Sequence, residues 1–232
     1  MDKLVNNYER DGYIILKKCI SKKECNIFLK TEIYRQLKKE KIIAKNKKTF
    51  RNRKELIITN KDLSCPLSKK YVNWETFFNN TMLHDFLNKI HRNRWKFSSC
   101  DLGWIHFRFP FYKSLKLVPC NNWHLDGMKN SKFINYNQGE IILPMITKVS
   151  KFGGGTIIVK DSHKHINNYI HSPKKCDIFT KINELSNKLE KIEILGDEGD
   201  ILIMNPFLIH GSSFCNKKNR IRVLFNTCIE YK

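Results

Sequence analysis

A histidine and an aspartate two residues apart are the first candidates for metal chemistry in this chain. They are His124 and Asp126, in the segment 122–127. On an extended strand, residues i and i+2 project from the same face, so both side chains can reach one ion. A third ligand must come from elsewhere, and the best candidate is His210, which lies just past a strongly apolar predicted strand.

Two histidines and one carboxylate on one face of an octahedron leave three coordination positions open, which is the arrangement of non-haem Fe(II) oxygenases. An H-x-D pair alone is weak evidence, because such pairs arise by chance in many chains. The alternative interpretation of His124 is a histidine that forms ordinary hydrogen bonds at the surface or in the core.

Two arginines, Arg220 and Arg222, follow His210 and are predicted to share one face of the next strand. A site for a dicarboxylate co-substrate needs a buried, permanently charged and bidentate partner of this kind. An arginine within the apolar run 221–225 is costly unless it meets an anion. The alternative is an arginine on an edge strand that faces solvent.

The elements that must position these residues change character near residue 95. Residues 1–94 predict helices, the last of them over 74–91, with one short strand at 13–16. Short β-rich runs separated by Gly, Pro and Asn follow, as in a sandwich or barrel. These runs are 101–109, 140–149, 156–159, 192–195, 200–204 and 221–229. The pattern predicts one domain over residues 1–232, mainly β with helices (α+β), with a partly helical insertion at about 161–190.

The chain is strongly basic, with 43 Lys and Arg against 22 Asp and Glu and a formal net charge of +21. Such an excess can mark a protein that binds nucleic acid or an anionic surface, but a coding bias explains diffuse lysine equally well. The densest run, residues 38–54, holds nine basic residues and one acid. We interpret it as a solvated helix end and loop, with a phosphate-binding strip as the alternative. The overlapping stretch 44–72 has no clear period.

The sequence contains neither a secretory signal nor an apolar run long enough to span a membrane. Its eight cysteines include no C-x-x-C pair and no cluster at zinc spacing. We therefore expect reduced thiols and a cytoplasmic location. The 41% hydrophobic content indicates a folded chain rather than a disordered one.

Several segments together resemble the phytanoyl-CoA dioxygenase family of Fe(II)/2-oxoglutarate-dependent oxygenases. One is the H-x-D pair, with the distal His210-Gly211-Ser212 and a following arginine. The others are the opening 8–16 with the capping segment 21–25, the glycine-rich segment 153–164, and Gly199-Asp200 before an apolar strand. The resemblance covers nearly the whole chain, with the segments in the order of the family.

This resemblance implies a fold and a set of cofactors. The fold is a double-stranded β-helix (a jelly roll, cupin-like) with the N-terminal helices packed on one side. Fe(II) is the cofactor, 2-oxoglutarate and O2 are co-substrates, and ascorbate is the expected reductant in vitro. The segment 153–164 resembles a hairpin of the family, with His163 and His165 as loop residues. Asp161 replaces its usual glycine, which indicates a turn of different shape.

The resemblance also implies roles for individual residues. The positions that match the iron ligands are His124, Asp126 and His210. Ser212 matches a hydroxyl that contacts a carboxylate of 2-oxoglutarate, and Arg222 is favoured over Arg220 as the cationic partner of that carboxylate. The family arginine usually falls eleven residues after the histidine, whereas these two fall ten and twelve after it, so the choice stays open. His106 is a candidate for the other end of 2-oxoglutarate, with a core histidine as the alternative.

We therefore predict a dioxygenase that hydroxylates a C–H bond of an unidentified substrate and forms succinate and CO2. Asp126 favours hydroxylation, because halogenating relatives lack the carboxylate ligand. The alternatives are a nucleic-acid-binding or nucleic-acid-modifying protein on the same fold, and a non-catalytic jelly-roll binding protein. The expected partner is a small or anionic molecule rather than nucleic acid, and the oligomeric state is open.

Overall fold

The protein is described by a computed structural model that covers most of the chain. The described residues are 1–51, 53–58, 79–97, 104–111, 117–119, 122–129, 132–133, 137–171, 177–213 and 216–232. None of the helices within these ranges is long and apolar enough to cross a membrane. The predicted helix over 74–91 and the predicted strand over 101–109 each begin outside these ranges.

In the described part of the chain, four α-helices precede most of the β-structure. They are α1 (Asp2–Asp11), α2 (Lys22–Phe28), α3 (Tyr34–Lys39) and α4 (Thr81–His91). Gly12 ends α1 because it adopts a left-handed φ of 76°. A capping box begins α2, in which the Glu24 N–H donates to Ser21 Oγ at 3.1 Å. A π-helical turn over Leu29–Ile33 joins α2 to α3.

The described strands form three antiparallel sheets. The strands are β1 (Tyr13–Leu16), β2 (Glu55–Ile58), β3 (Trp95–Phe97), β4 (Trp104–Arg108), β5 (Met128–Lys129), β6 (Lys132–Phe133), β7 (Gln138–Pro144), β8 (Thr156–Val159), β9 (Lys191–Glu193), β10 (Ile201–Met204), β11 (His210–Ser212) and β12 (Arg222–Tyr231). The larger sheet has the order β1-β10-β7-β12-β4-β2, with β3 also paired to β12. The smaller sheet has the order β11-β8-β9, and β5 pairs with β6.

Three hydrophobic clusters show that these elements pack in layers. Side chains of both sheets, among them Leu143, Ile158 and Leu202, form the cluster between the sheets. Helices α1–α4 pack on the outer face of the larger sheet. Two further helices, α5 (Ser162–Ile170) and α6 (Ile178–Lys188), cover the outer face of the smaller sheet. This arrangement confirms the predicted α+β class, with a jelly-roll core and the N-terminal helices on one side.

One local prediction was wrong, and the structure adds detail at two other places. His163 and His165 lie in α5 and not in a hairpin loop, because the chain turns into a helix directly after β8. Asp161, which stands where the family usually has glycine, adopts a left-handed φ of 58° directly before α5. The stretch 44–72, which has no clear period, contains β2, which pairs with β4 along its full length.

A buried carboxylate connects the N-terminal helices to the larger sheet. Glu140 lies on β7 and is 2% exposed. Its Oε1 accepts a hydrogen bond from Tyr8 Oη of α1 at 2.7 Å, and its Oε2 lies 2.5 Å from His91 Nε2 at the end of α4. Burial and the charge of Glu140 raise the pKa of Tyr8 well above its usual value, so the phenol remains a donor. Two helices are therefore attached to β7 through one side chain.

We expect Glu140→Ala to lower the free energy of unfolding by about 3 kcal/mol, because it leaves the buried Tyr8 hydroxyl and the partly buried His91 ring without their shared partner. Urea denaturation followed by circular dichroism measures this change. The matched control is Glu184→Ala, which removes an exposed carboxylate paired with Lys181 and Lys188 on the surface of α6. That variant should keep the wild-type midpoint. Equal midpoints for the two variants would contradict the connecting role of Glu140.

Candidate metal centre

His124, Asp126 and His210 lie together in the space between the two sheets. One ligand atom from each side chain falls within 4.8 Å of the others. Asp126 Oδ1 is 3.7 Å from His124 Nε2 and 3.6 Å from His210 Nε2. These separations are too long for hydrogen bonds, and they leave room for an ion among the three atoms. The donor set of two imidazoles and one carboxylate fits a divalent transition metal.

Backbone pairing brings the two histidines together. The N–H of His124 donates to the carbonyl of His210 at 3.1 Å, and the N–H of His210 donates to the carbonyl of His124 at 3.0 Å. The residues next to the ligands, Leu125 and Ile209, are buried in the cluster beneath α5 and α6. Because neighbouring side chains of extended backbone point to opposite faces, this anchoring turns the candidate ligands toward the space between the sheets.

Each histidine ring is oriented by a backbone carbonyl. Nδ1 of His124 lies 3.0 Å from the carbonyl oxygen of Asn122, and Nδ1 of His210 lies 2.9 Å from that of Leu208. A carbonyl only accepts, so each Nδ1 carries the proton and donates it. Nε2 of each neutral ring then presents its lone pair toward Asp126, as a metal ligand must.

The charges of the three groups act on one another. Burial opposes ionisation of Asp126, but its interactions with His210 and His124 lower the pKa of this carboxyl to about 2. Burial also lowers the pKa of His210, but Asp126 more than offsets this effect and raises the pKa above its usual value. Burial and the charge of His210 lower the pKa of His124. Asp126 is therefore an anion throughout the physiological range.

A cavity of about 130 Å³ adjoins the three candidate ligands, and we call it the metal-centre cavity. It is lined by Ser212 from β11, by Arg222 from β12 and by His106 from β4. Three of the four residues that the resemblance assigns to 2-oxoglutarate therefore face one space. The fourth, Arg220, lies elsewhere.

Arg222 is 2% exposed and is held by backbone carbonyls. Its Nε donates to the carbonyl of Gly154 at 2.6 Å, and one terminal nitrogen donates to the carbonyl of His106 at 3.3 Å. Gly154 has a φ of 80°, and a Cβ added there would lie 2.9 Å from Arg108 Cβ. The glycine-rich segment thus brings a carbonyl close enough to hold Arg222.

Arg220 precedes β12 and points away from the metal-centre cavity. Its guanidinium donates to the carbonyl of Lys148 at 3.2 Å and lies 3.5 Å from Ser150 Oγ. The buried Asn216 donates its amide N–H to the carbonyls of Arg108 and Arg220, at 3.0 and 3.1 Å. Asn216 therefore positions the backbone beside the cavity. The prediction that Arg220 and Arg222 share one face of a strand is wrong, because the strand starts only at Arg222.

Sequence reasoning missed Arg108, a second buried arginine in the cavity wall. It is 3% exposed and forms an ion pair with Glu55 of β2. The alternation of side chains along β4 could have revealed it, because Trp104, His106 and Arg108 share one face of that strand. All three line the metal-centre cavity.

Two buried nitrogen atoms in this wall have no hydrogen-bond partner among the described residues. They are His106 Nε2 and Arg108 Nε. Burial and the charges of Arg222 and Arg108 lower the pKa of His106 to about 3, so its imidazole is neutral. Orphaned buried polar atoms are rare in proteins, and here they indicate a polar ligand in the cavity.

We expect Asp126→Asn to lower the pKa of His210 in the metal-free protein below the usual 6.5, because burial then acts without the opposing carboxylate. Titration of the histidine ring protons by NMR measures this pKa. His163 is the internal control, since burial also lowers its pKa and Asp126 does not contribute to it. An unchanged pKa of His210, or an equal change at His163, would contradict this electrostatic coupling.

Several solved structures share the fold at low sequence identity. The non-heme alpha-ketoglutarate-dependent carbocyclase SnoK from nogalamycin biosynthesis has a TM-score of 0.61 at 11% identity, over 100% of this chain and 84% of SnoK. EctD from S. alaskensis, with 2-oxoglutarate and 5-hydroxyectoine, has a TM-score of 0.63 at 13% identity, over 100% and 76%. HygX from Streptomyces hygroscopicus, with nickel and 2-oxoglutarate bound, has a TM-score of 0.60 at 10% identity, over 100% and 87%. No curated protein sequence matches this chain.

A family comparison covers almost the full sequence. The sequence model of the phytanoyl-CoA dioxygenase family matches residues 8–222. This span includes the H-x-D pair, the distal histidine and both arginines that follow it. The resemblance seen in the sequence is therefore confirmed, and the chain belongs to the phytanoyl-CoA dioxygenase family.

Proposed function

We propose that the protein is an Fe(II)- and 2-oxoglutarate-dependent dioxygenase that hydroxylates a C–H bond of a small molecule, with succinate and CO2 as co-products. One observation carries this proposal: His124, Asp126 and His210 converge on a cavity that also contains the buried Arg222. A two-histidine, one-carboxylate site leaves coordination positions open for a co-substrate and O2. We further propose that residues 1–232 form a single catalytic domain.

The geometry of the candidate ligands supports iron at this site. His124 and His210 would bind through Nε2, with their tautomers fixed by the carbonyls of Asn122 and Leu208. Asp126 would bind through a carboxylate oxygen that is ionised at neutral pH. When bound, Fe(II) supplies the redox chemistry that couples 2-oxoglutarate decarboxylation and O2 to oxidation of the substrate.

The cationic wall of the cavity supports 2-oxoglutarate as the co-substrate. We assign the salt bridge to its distal carboxylate to Arg222, because two backbone carbonyls fix this guanidinium in a buried position. A fixed guanidinium binds a carboxylate bidentately, and burial strengthens the interaction. Ser212 lines the same space and would donate its hydroxyl to that carboxylate. We assign His106 to the keto-acid end, as a neutral hydrogen-bonding group.

Two features support hydroxylation as the reaction. Asp126 provides the carboxylate ligand that the halogenating relatives lack. Leu143 and Leu224 contribute apolar surface to the cavity, which limits the access of water to the reacting groups. At its rim, Trp104 is 46% exposed and its ring stacks parallel to His106 at a centroid distance of 6.2 Å. We propose that the Trp104 ring packs against the substrate.

The test is succinate formation from 2-oxoglutarate by the purified protein with Fe(II), ascorbate and isotopically labelled O2. We expect slow turnover without added substrate, with one labelled oxygen atom in succinate, and loss of this activity in His124→Ala. If the wild-type protein shows no turnover, saturable binding of 2-oxoglutarate is measured next, with Fe(II) under anaerobic conditions. Absence of both turnover and binding would contradict the proposal and favour a non-catalytic binding protein.

The two arginines provide a matched pair of variants for the co-substrate. We expect Arg222→Ala to weaken 2-oxoglutarate binding by about 10- to 100-fold, because it removes a charge-assisted bidentate contact of about 1.5–3 kcal/mol. Arg220→Ala removes the same side chain outside the metal-centre cavity and should keep the wild-type 2-oxoglutarate affinity. Calorimetric titration under anaerobic Fe(II) measures both values. The opposite ranking would move the anchor to Arg220.

A further inference from the structure

A second cleft lies on the other side of β12 from the metal-centre cavity. It has a volume of about 410 Å³ and is bounded by the α2–α3 region, the loop after β7 and the chain that enters β12. Ile221 and Val223 line this cleft, whereas Arg222 and Leu224 line the metal-centre cavity. The two spaces are therefore separated by the thickness of one sheet, and the proposed dioxygenase chemistry does not use the second cleft.

The second cleft combines apolar and cationic surface. Its accessible apolar surface comes from the partly exposed Leu29, Tyr34 and Ala44, and buried core side chains, among them Ile146 and Val223, form its floor. Four cations also line it, and their side chains are exposed at the rim: Lys45, Lys47, Lys148 and Arg220. Such a lining suits an organic molecule with an anionic group at one end.

The acids near this rim are already engaged in ion pairs. Glu198 pairs with Lys22 at 3.1 Å. Asp197 pairs with Lys148 at 2.5 Å, so the charge of this lysine is compensated. These two carboxylates are therefore not paired with the other three cations of the rim.

The other three cations have no carboxylate within 4.0 Å among the described residues. Within the described ranges, the Arg220 guanidinium contacts the neutral oxygens of Lys148 and Ser150. Lys47 contacts the neutral side chain of Asn219, with Nζ 3.0 Å from Oδ1. Lys45 forms no ion pair in the described chain. Three positive charges thus line one rim without a directly paired carboxylate in the described chain, since Glu198, which also lines the cleft, pairs with Lys22.

The position of this rim is set by the fold. The carbonyl of Arg220 accepts a hydrogen bond from the buried Asn216, which holds the chain just before β12. The contact between Lys47 and Asn219 then joins the 3₁₀ turn at Lys47–Thr49 to the same segment, 172 residues further along the chain. The basic run 38–54 therefore contributes two of its lysines to a defined site beside Arg220.

We propose that the second cleft binds a phosphorylated small molecule, with its phosphate at the cationic rim and its organic part on the apolar lining. A phosphate monoester carries about −1.5 to −2 charges at neutral pH, which matches three uncompensated cations better than a single carboxylate does. Arginine binds phosphate through its planar fork, and lysine adds a point charge. The volume lies in the range of about 300–1,000 Å³ that is typical of small-molecule sites.

The experiment is a calorimetric titration of the full chain with phenyl phosphate, which joins a phosphate to an apolar ring. Excess 2-oxoglutarate and Mn(II) are present, so that the metal-centre cavity does not compete for the probe. We expect one saturable site for phenyl phosphate, with benzoate, phenol and inorganic phosphate binding at least about tenfold more weakly. The absence of saturable binding, or a phenyl phosphate affinity that is high without 2-oxoglutarate and lost in its presence, would overturn the proposal.

Single substitutions locate the site. Arg220→Ala and Lys47→Ala should each weaken phenyl phosphate binding by about tenfold or more, as expected for loss of a charge-assisted contact. Lys164→Ala is the matched control, because it also removes one exposed positive charge but lies on α5, where it pairs with Asp161 at 2.9 Å. Equal affinities in Arg220→Ala and Lys164→Ala would overturn the proposal. Circular dichroism verifies that each variant is folded.

A short single-stranded DNA tests the macromolecular alternative under the same conditions. We expect it to bind more weakly than phenyl phosphate, with an affinity that falls steeply between low and moderate salt and responds equally to Arg220→Ala and Lys164→Ala. Tighter binding of the DNA, lost specifically in Arg220→Ala, would instead assign the rim to nucleic acid and overturn the small-molecule site. Because the titrations do not require turnover, their outcome is independent of the proposed dioxygenase activity.

Discussion

The alternation of side chains along β12 is the constraint on which both cavities depend. Successive residues of a strand project to opposite faces, so Arg222 and Leu224 face the metal-centre cavity while Val223 faces the helices. This strand pairs with β3, β4 and β7, and a shift of one residue would exchange its two faces. The N-terminal helices therefore do more than cover the sheet. By burying Val223 and Phe225 on the outer face, they hold Arg222 on the inner one.

Two buried arginines share the wall of the metal-centre cavity, and the repulsion between their positive charges must be offset by other groups. Arg222 and Arg108 are direct partners in the register of β12 and β4. Two neighbouring guanidinium groups repel each other in a medium of low polarity. The Glu55 carboxylate offsets the charge of Arg108, and carbonyl dipoles hold Arg222. Burial, together with the resulting positive potential, lowers the pKa of His106 to about 3 and keeps its ring neutral. The same potential favours a dianionic ligand in the cavity.

The sequence predicts the parts of this architecture that depend on local pattern. The spacing of His124 and Asp126, the capping box of α2 and most strands of the core could be derived from short periods and known turn chemistry. Arg108 and β2 could not, because their roles arise from pairing between distant segments. The role of Asn216 has the same origin, since its amide bridges two carbonyls that lie apart in sequence. Family resemblance supplied the cofactors, which no local pattern contains.

The separation of Arg220 from Arg222 shows why residue spacing alone could not choose between them as the proposed anchor of the co-substrate. Residues i and i+2 share a face only when both lie within a strand. β12 begins at Arg222, two residues after the bend at 218–220 ends. The bend turns Arg220 toward the second cleft, where its charge stays exposed. The distinction between an exposed and a buried cation also applies to the net charge of the chain. Among the described Lys and Arg residues, only Arg108 and Arg222 are buried, so the positive charge that shapes the metal-centre cavity comes from two side chains and not from the lysine-rich surface.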